Sequence, residues 1–297
     1  MRDNKMKVIK IIVIIIMGLN IEILLKGQTT GSFLKFTNDA KLISGGIVGI
    51  DDGGLSGLNI TPAIRITNNE IRYTGTRIMD EISYHTLISG IKLKSSNIGL
   101  MMTECGVDGI ETRDDNGQKT GSFNTRNSVI GINYSYELNR KDIIGITIKH
   151  ISMAISEKEA GSMGIDIGYG RIINRNTEIG LSIRNLSKGI KLNRTNEQLP
   201  SGITVMYGYR IMEGIRLGVS ITRWIDAKTP EYIIGFGYNI LNWVELRSNY
   251  TYAKLNSEET KTIRYGIGIK LNKAELNYAS QAQGRGITNS ISIGTKF

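Results

Sequence analysis

Proline is nearly missing from this chain, with 3 in 297 residues. Proline removes a ladder donor, so its scarcity suits long uninterrupted strands. The single cysteine, Cys105, excludes an intrachain disulfide. Two histidines, His85 and His150, with one distant cysteine do not make a metal site by spacing, so neither a metal nor a cofactor is expected. No Gly-x-Ser-x-Gly elbow occurs. Gly117 to Ser122 holds P-loop residue types in the wrong order and reads as a polar loop after Asp114-Asp115-Asn116. Catalysis therefore has little support. Beyond the amino terminus no apolar run is long enough to cross a bilayer as a helix. There is no basic block either. Lys plus Arg number 37 against 27 Asp plus Glu, a net charge of +10, but the charges are scattered, which argues against nucleic acid.

What is present begins with a basic start, Lys5 and Lys7, followed by the apolar run Val8 to Leu19. That order predicts a signal peptide over residues 1–27 and hence export. Residues 28–67 are irregular and punctuated by turn residues at Gly45-Gly46, Asp51-Asp52-Gly53-Gly54 and Gly57. This stretch reads as a small plug, with Leu42 to Ile50 a weakly amphipathic helix or strand. The Asp pair makes an Asx turn into glycine that needs no ion.

From residue 68 to 297 the alternation becomes monotonous. Ile71 and Tyr73 alternate with Arg72 and Thr74; Ile130, Ile132, Tyr134 and Tyr136 oppose Val129, Gly131, Asn133 and Ser135. Ile215, Leu217, Val219 and Ile221 face away from Arg216, Gly218, Ser220 and Thr222. The terminal stretch sets Ile291, Ile293 and Phe297 against Ser290, Ser292, Gly294 and Lys296. Each is a period-two strand with one apolar face, and about fourteen such strands can be counted. Polar stretches at Thr103 to Arg126 and Ser187 to Leu199 predict surface loops. The predicted class is all-β.

Alternation alone does not say which face is wet, so a soluble sandwich is the competing reading. Three features favour a transmembrane antiparallel β-barrel. The non-apolar face is rich in Gly, Ser and Thr, the start is an export signal, and tyrosine pairs (Tyr134/Tyr136, Tyr207/Tyr209, Tyr250/Tyr252) sit at strand ends as in an interface girdle. On this facing Arg72, Lys92, Lys149, Asp166, Arg184, Arg216, Glu245, Arg247, Arg264, Glu275 and Lys296 point into the lumen, where they are expected to pair with one another. The closing Phe297 resembles the carboxy-terminal aromatic signal that outer-membrane barrels present to their assembly machinery.

The ordered motifs also resemble a known family. Phe33-Leu34-Lys35-Phe36, Ala40-Lys41, Gly45-Gly46, Asp51-Asp52 and Pro62-Ala63 are similar to the opening of the PorV/PorQ family. Asn133 to Tyr136, Gly145 to Lys149, Asp166 to Gly168, Leu181 to Asn185, Arg247 to Tyr252 and Ser292 to Phe297 follow in family order. Thr61-Pro62-Ala63 stands where the family has Asn-Pro-Ala, a departure within the plug. The resemblance implies a fourteen-stranded barrel in the bacterial outer membrane, similar to the fatty-acid transporter FadL. It implies a role in protein export or surface attachment of the type IX secretion kind, with exported cargo or secretion subunits as partners beside membrane lipid. The alternative is a FadL-like channel for hydrophobic solutes; a third reading is a purely structural envelope protein. Phe33, Leu34, Phe36, Leu42, Asp51, Asp52, Thr61, Pro62 and Ala63 are the candidate plug and gate residues. The channel reading predicts an apolar pocket behind the plug and a lateral gap between strands.

Overall fold

The computed structural model describes residues 30–37, 39–46, 54–79, 81–192, 195–255, 258–283 and 286–297. The expected signal peptide and Asp51 and Asp52 lie outside the described residues. Fourteen antiparallel strands form one closed barrel: β1 (Glu70–Ile78), β2 (Ile82–Lys92), β3 (Ser96–Arg113), β4 (Lys119–Glu137), β5 (Asp142–Ile155), β6 (Lys158–Asn174) and β7 (Thr177–Ser187), followed by β8 (Gly202–Met212), β9 (Ile215–Trp224), β10 (Glu231–Leu241), β11 (Val244–Leu255), β12 (Glu258–Leu271), β13 (Ala274–Gln283) and β14 (Gly286–Lys296). Each strand pairs with its neighbour in sequence. β14 then closes on β1, with Glu70 opposite Lys296 and Ile78 opposite Thr288.

The facing follows the alternation. Ile132, Ile148, Ile234, Ile263 and Ile293 are exposed on the outside, while Asn133, Thr147, Thr262 and Ser292 are buried within. Such a surface is stable only against lipid, because fourteen strands of outward Ile, Leu and Tyr would otherwise meet water. Turns of two to four residues join the strands at the end that carries the termini. The other end carries the longer connections, as on the outer face of outer-membrane barrels.

Two predicted loops are corrected. Thr103 to Arg126 is mostly paired strand: β3 and β4 run to 18 and 19 residues, where about 9–11 suffice to span a bilayer. Their outer parts are wet on both faces, so polarity hides the period. The turn itself is closed by Asp114, whose Oδ1 accepts from the backbone N–H groups of Asn116 and Gln118. Gly117 supplies the left-handed residue, at φ 78°. The β7–β8 connection does form a loop, yet it folds inward and buries Ile190 and Leu199. Two apolar side chains in a polar stretch had somewhere dry to go.

The amino-terminal segment fills the lumen. It consists of a 3-10 turn (Ser32–Lys35), helix α1 (Ala40–Gly45), a second 3-10 turn (Gly54–Asn59) and an extended run into β1. Leu55, Leu58, Ile64 and Ile66 are buried from this segment, each worth about 1.5–3 kcal/mol. They pack on Tyr84, Ile88, Met101, Val129, Ile151 and Met153 from the inner faces of β2 to β5. The lumen is thus apolar on the β2–β5 side and polar around β9 to β14 and β1.

Candidate functional site

The hatch, as the lumen segment is called below, touches the wall where the wall has no side chains. Gly145 on β5 and Gly168 on β6 are cross-strand neighbours. A Cβ on Gly145 would fall 2.0 Å from the Pro62 carbonyl oxygen, and one on Gly168 2.7 Å from Thr61 Oγ1. Across the lumen a Cβ on Gly235 would fall 2.0 Å from the Gly45 carbonyl oxygen. Gly90 and Gly99, paired on β2 and β3, make room for Leu55, Leu58 and Ile66 in the same way. Glycines facing inward therefore serve close approach of two backbones.

Such an irregular segment must find partners for its peptide groups. Ser182 Oγ donates to the Ile60 carbonyl at 2.9 Å, Asn133 Nδ2 to Pro62 at 3.1 Å, and both Asn97 Nδ2 and Ser135 Oγ to Ile64 at 3.1 and 3.0 Å. On the opposite wall Asn249 Nδ2 donates to the Ile43 carbonyl at 2.5 Å, and Ser292 Oγ accepts from the Ala40 N–H at 2.9 Å. Each bond contributes about 1 kcal/mol net, and losing the one to Ile60, Ile43 or Ala40 leaves a buried carbonyl or N–H without its side-chain partner.

Charge completes the seating. Asp39 is fully buried and caps α1, its Oδ1 accepting from the N–H groups of Lys41 and Leu42. Its Oδ2 lies 3.7 Å from Arg72 Nη1. Arg72 is held in turn by Glu70 at 2.6 Å and Glu275 at 3.0 Å. Beside it Arg247 donates to Asn277 Oδ1 at 2.5 Å, and Glu245 pairs with Arg216 and, at 3.5 Å, with Lys270. A second group sits on the other wall: Lys149 is 2.8 Å from Asp166, whose Oδ1 also accepts the Asn185 N–H at 2.7 Å. Removing one partner of such a buried pair leaves an uncompensated charge, at a cost of about 3–5 kcal/mol.

Above the hatch, toward the loop end, lies a chamber of about 300 Å³. Phe36, Ile43, Ile60, Tyr84, Trp224 and Ile233 supply its apolar lining, and Lys35, Arg184, Arg264 and Glu231 its charges. Arg184 stacks on Trp224 at 4.6 Å from the ring centroid, and Arg264 donates to Gln281 Oε1 at 2.5 Å. The hatch reaches the mouth through Lys35, 2.5 Å from Asp226, and through the Thr30 N–H, which donates to the Gln198 carbonyl of the inturned loop at 3.1 Å.

Of the sequence candidates, Phe33 is buried in the apolar cluster, with Leu34 and Phe36 packed against it. Leu42 joins Ile60 and Met206, and Thr61, Pro62 and Ala63 lie on the Gly145–Gly168 pair. Arg72, Lys149, Asp166, Arg184, Arg216, Glu245, Arg247, Arg264 and Glu275 line the interior. Lys92 sits at the turn end, 2.6 Å from Glu137. Lys296 has the inward parity but is exposed, because its strand ends at the rim. Phe297 is 67% exposed outside, its N–H donating to the Asn69 carbonyl. Sequence reasoning missed Asp39 and the apolar inner wall. The signal for the wall was legible in Leu87-Ile88, Leu100-Met101-Met102 and Val129-Ile130, where both faces are apolar because both are covered.

Neither a protein-family model nor a curated protein matches the chain by sequence. Among solved structures the chain is similar to the toluene transporter TodX of Pseudomonas putida, with a TM-score of 0.71 at 13% identity, over 89% of this chain and 99% of that one. The toluene transporter TbuX of Ralstonia pickettii gives 0.66 at 12% identity, over 89% and 99%. A FadL homologue of Pseudomonas aeruginosa gives 0.59 at 11%, over 92% and 100%. The likeness is one of fold: a fourteen-stranded barrel with an amino-terminal segment inside.

Proposed function

We propose that this bacterial outer-membrane barrel, FadL-like in fold, admits small hydrophobic solutes, which collect in the chamber and pass inward when the hatch yields. The observation that carries the reading is the chamber itself, floored by the hatch and lined in part by Phe36, Ile43, Ile60, Tyr84, Trp224 and Ile233. A hydrophobe gains about 25 cal/mol per Å² of apolar surface on leaving water for such a lining. The likeness in fold to the toluene transporters TodX and TbuX supports the same class of cargo. The expected lateral gap has no counterpart among the described strands, since the ladder is continuous around the wall. Passage is therefore assigned to the hatch rather than to a slot between strands.

A cross-link tests this. Ala40→Cys with Ser292→Cys, in a Cys105→Ser background, joins α1 to β14 where the Ala40 N–H meets Ser292 Oγ at 2.9 Å. Cells making the oxidised protein should take up a labelled monoaromatic hydrocarbon at the rate of cells lacking the barrel, and reductant should restore uptake. Uptake unaffected by the cross-link overturns passage through the hatch.

The protruding β3–β4 hairpin favours a second reading, the PorV-like holding of an exported protein at the cell surface. Shortening that hairpin should then release a bound protein from the purified barrel while leaving hydrocarbon uptake intact.

A further inference from the structure

The two rims of the barrel differ in charge. At the loop end exposed acids are mixed with the cations: Arg113 and Lys119 share Glu111, Arg126 lies 3.5 Å from Glu104, Lys261 lies 3.4 Å from Glu259, and Glu81, Asp108, Asp115 and Glu157 are exposed as well. At the turn end Lys94, Arg140, Arg175, Arg210, Lys273 and Lys296 are exposed, one at nearly every turn or strand end. Among the described residues none of these six is within salt-bridge distance of a carboxylate, and the exposed acid of this rim is Glu213. Of the half-buried acids here, Glu137 is held by Lys92 and Arg65, Asp142 by Arg171, and Glu178 lines a cleft with Arg175, Arg210 and Arg216.

The cations run around the circumference, just beyond an outward belt of half-exposed aromatics that includes Tyr136, Tyr209, Tyr238 and Trp243. Such rings lie at the headgroup level of a bilayer, so the cations beyond them meet headgroup phosphates.

We propose that the turn-end rim is a docking collar for anionic phospholipid, binding headgroup phosphates of the leaflet around it. A soluble partner would engage one sector or the end face. A leaflet surrounds the whole wall, and the cations do the same.

Tryptophan placement supplies the test. The chain has 2 tryptophans, Trp224 buried in the chamber and Trp243 half-exposed in the β10–β11 turn of the charged rim. The full chain carrying Trp224→Phe is reconstituted in phosphatidylcholine vesicles containing brominated phosphatidylglycerol or brominated phosphatidylcholine, and quenching of Trp243 is read. The anionic quencher should show roughly two- to fivefold higher relative association, a modest selectivity for a few rim cations. The preference should vanish in about 1 M salt, where screening acts within about 3 Å. It should vanish in Arg175→Gln/Arg210→Gln/Lys273→Gln and persist in the loop-end control Arg77→Gln/Lys188→Gln/Lys191→Gln. Equal quenching by the two lipids, or a preference that survives the triple variant or high salt, overturns the proposal. Equal quenching together with a soluble protein held by the unmutated rim and lost by the triple variant also overturns it, and assigns the rim to a protein.

Discussion

Asp39 faces two ways: one carboxylate oxygen caps α1, and the other stands 3.7 Å from Arg72 on the first strand of the wall. One side chain thus couples the start of the hatch helix to a position on the barrel. Asp39→Ala removes both roles, and the cap alone is worth about 1 kcal/mol, or roughly a fivefold change in the population of an unseated hatch. Asn caps as well as Asp, so Asp39→Asn isolates the charge. A cysteine at Ser44, buried in the native fold, reports unseating. Its labelling by a water-soluble maleimide, in the Cys105→Ser background, should quicken about fivefold or more in Asp39→Ala and less in Asp39→Asn.

Gly145 carries the closest approach of hatch and wall on the β5–β6 side. Gly145→Ala places a methyl on the Pro62 carbonyl, and overpacking of this kind costs about 1–3 kcal/mol. The wall has no reason to fail, since strands accept Ala. The expected outcome is a closed barrel whose residues 54–66 become sensitive to protease, with Gly75→Ala as control, since its nearest neighbour would be 3.7 Å away. Unchanged resistance in Gly145→Ala would mean that the hatch has slack at Pro62.

Ile132 is 62% exposed on the outer face of β4. If that face meets hydrocarbon, Ile132→Lys costs about 2–4 kcal/mol near the bilayer midplane. Urea midpoints of the protein folded into vesicles measure this directly. A loss under about 0.5 kcal/mol, as for an ordinary surface position, would mean that the outer face is wet.

Closure of β1 on β14 predicts heat-modifiable migration. Detergent-extracted protein from the outer-membrane fraction should run faster unboiled than boiled, because a closed ladder has no edge from which detergent can peel it. Identical mobilities would contradict the closed wall.

The wall was legible because period-two alternation survives wherever one face meets lipid and the other meets water or small polar groups. Ile144, Ile146 and Ile148 against Gly145, Thr147 and Lys149 show it without ambiguity. It fades at Lys119 to Thr125, where both faces are wet, and at Leu100 to Met102, where both are dry. Partners were harder still. Arg72 reads as a lumen charge from its parity, but nothing local connects it to Asp39 or to Glu275, 203 residues away. The glycine seats have the same character, for Gly145 and Gly168 mean little until they are known to be neighbours beneath Pro62.

The seam between β1 and β14 has a temporal side. Thirteen strands can pair with a neighbour already made, but β1 has to keep its outer edge unspent until the last strand arrives. Throughout that interval the hatch, bonded to Ser292 of that last strand and to Asn97 and Asn133 of early ones, has only part of its seat. Sealing the wall and stoppering the pore are thus one late event. A chain that stops short of Gly286 should leave both undone at once, with β1 and β13 open to a second molecule.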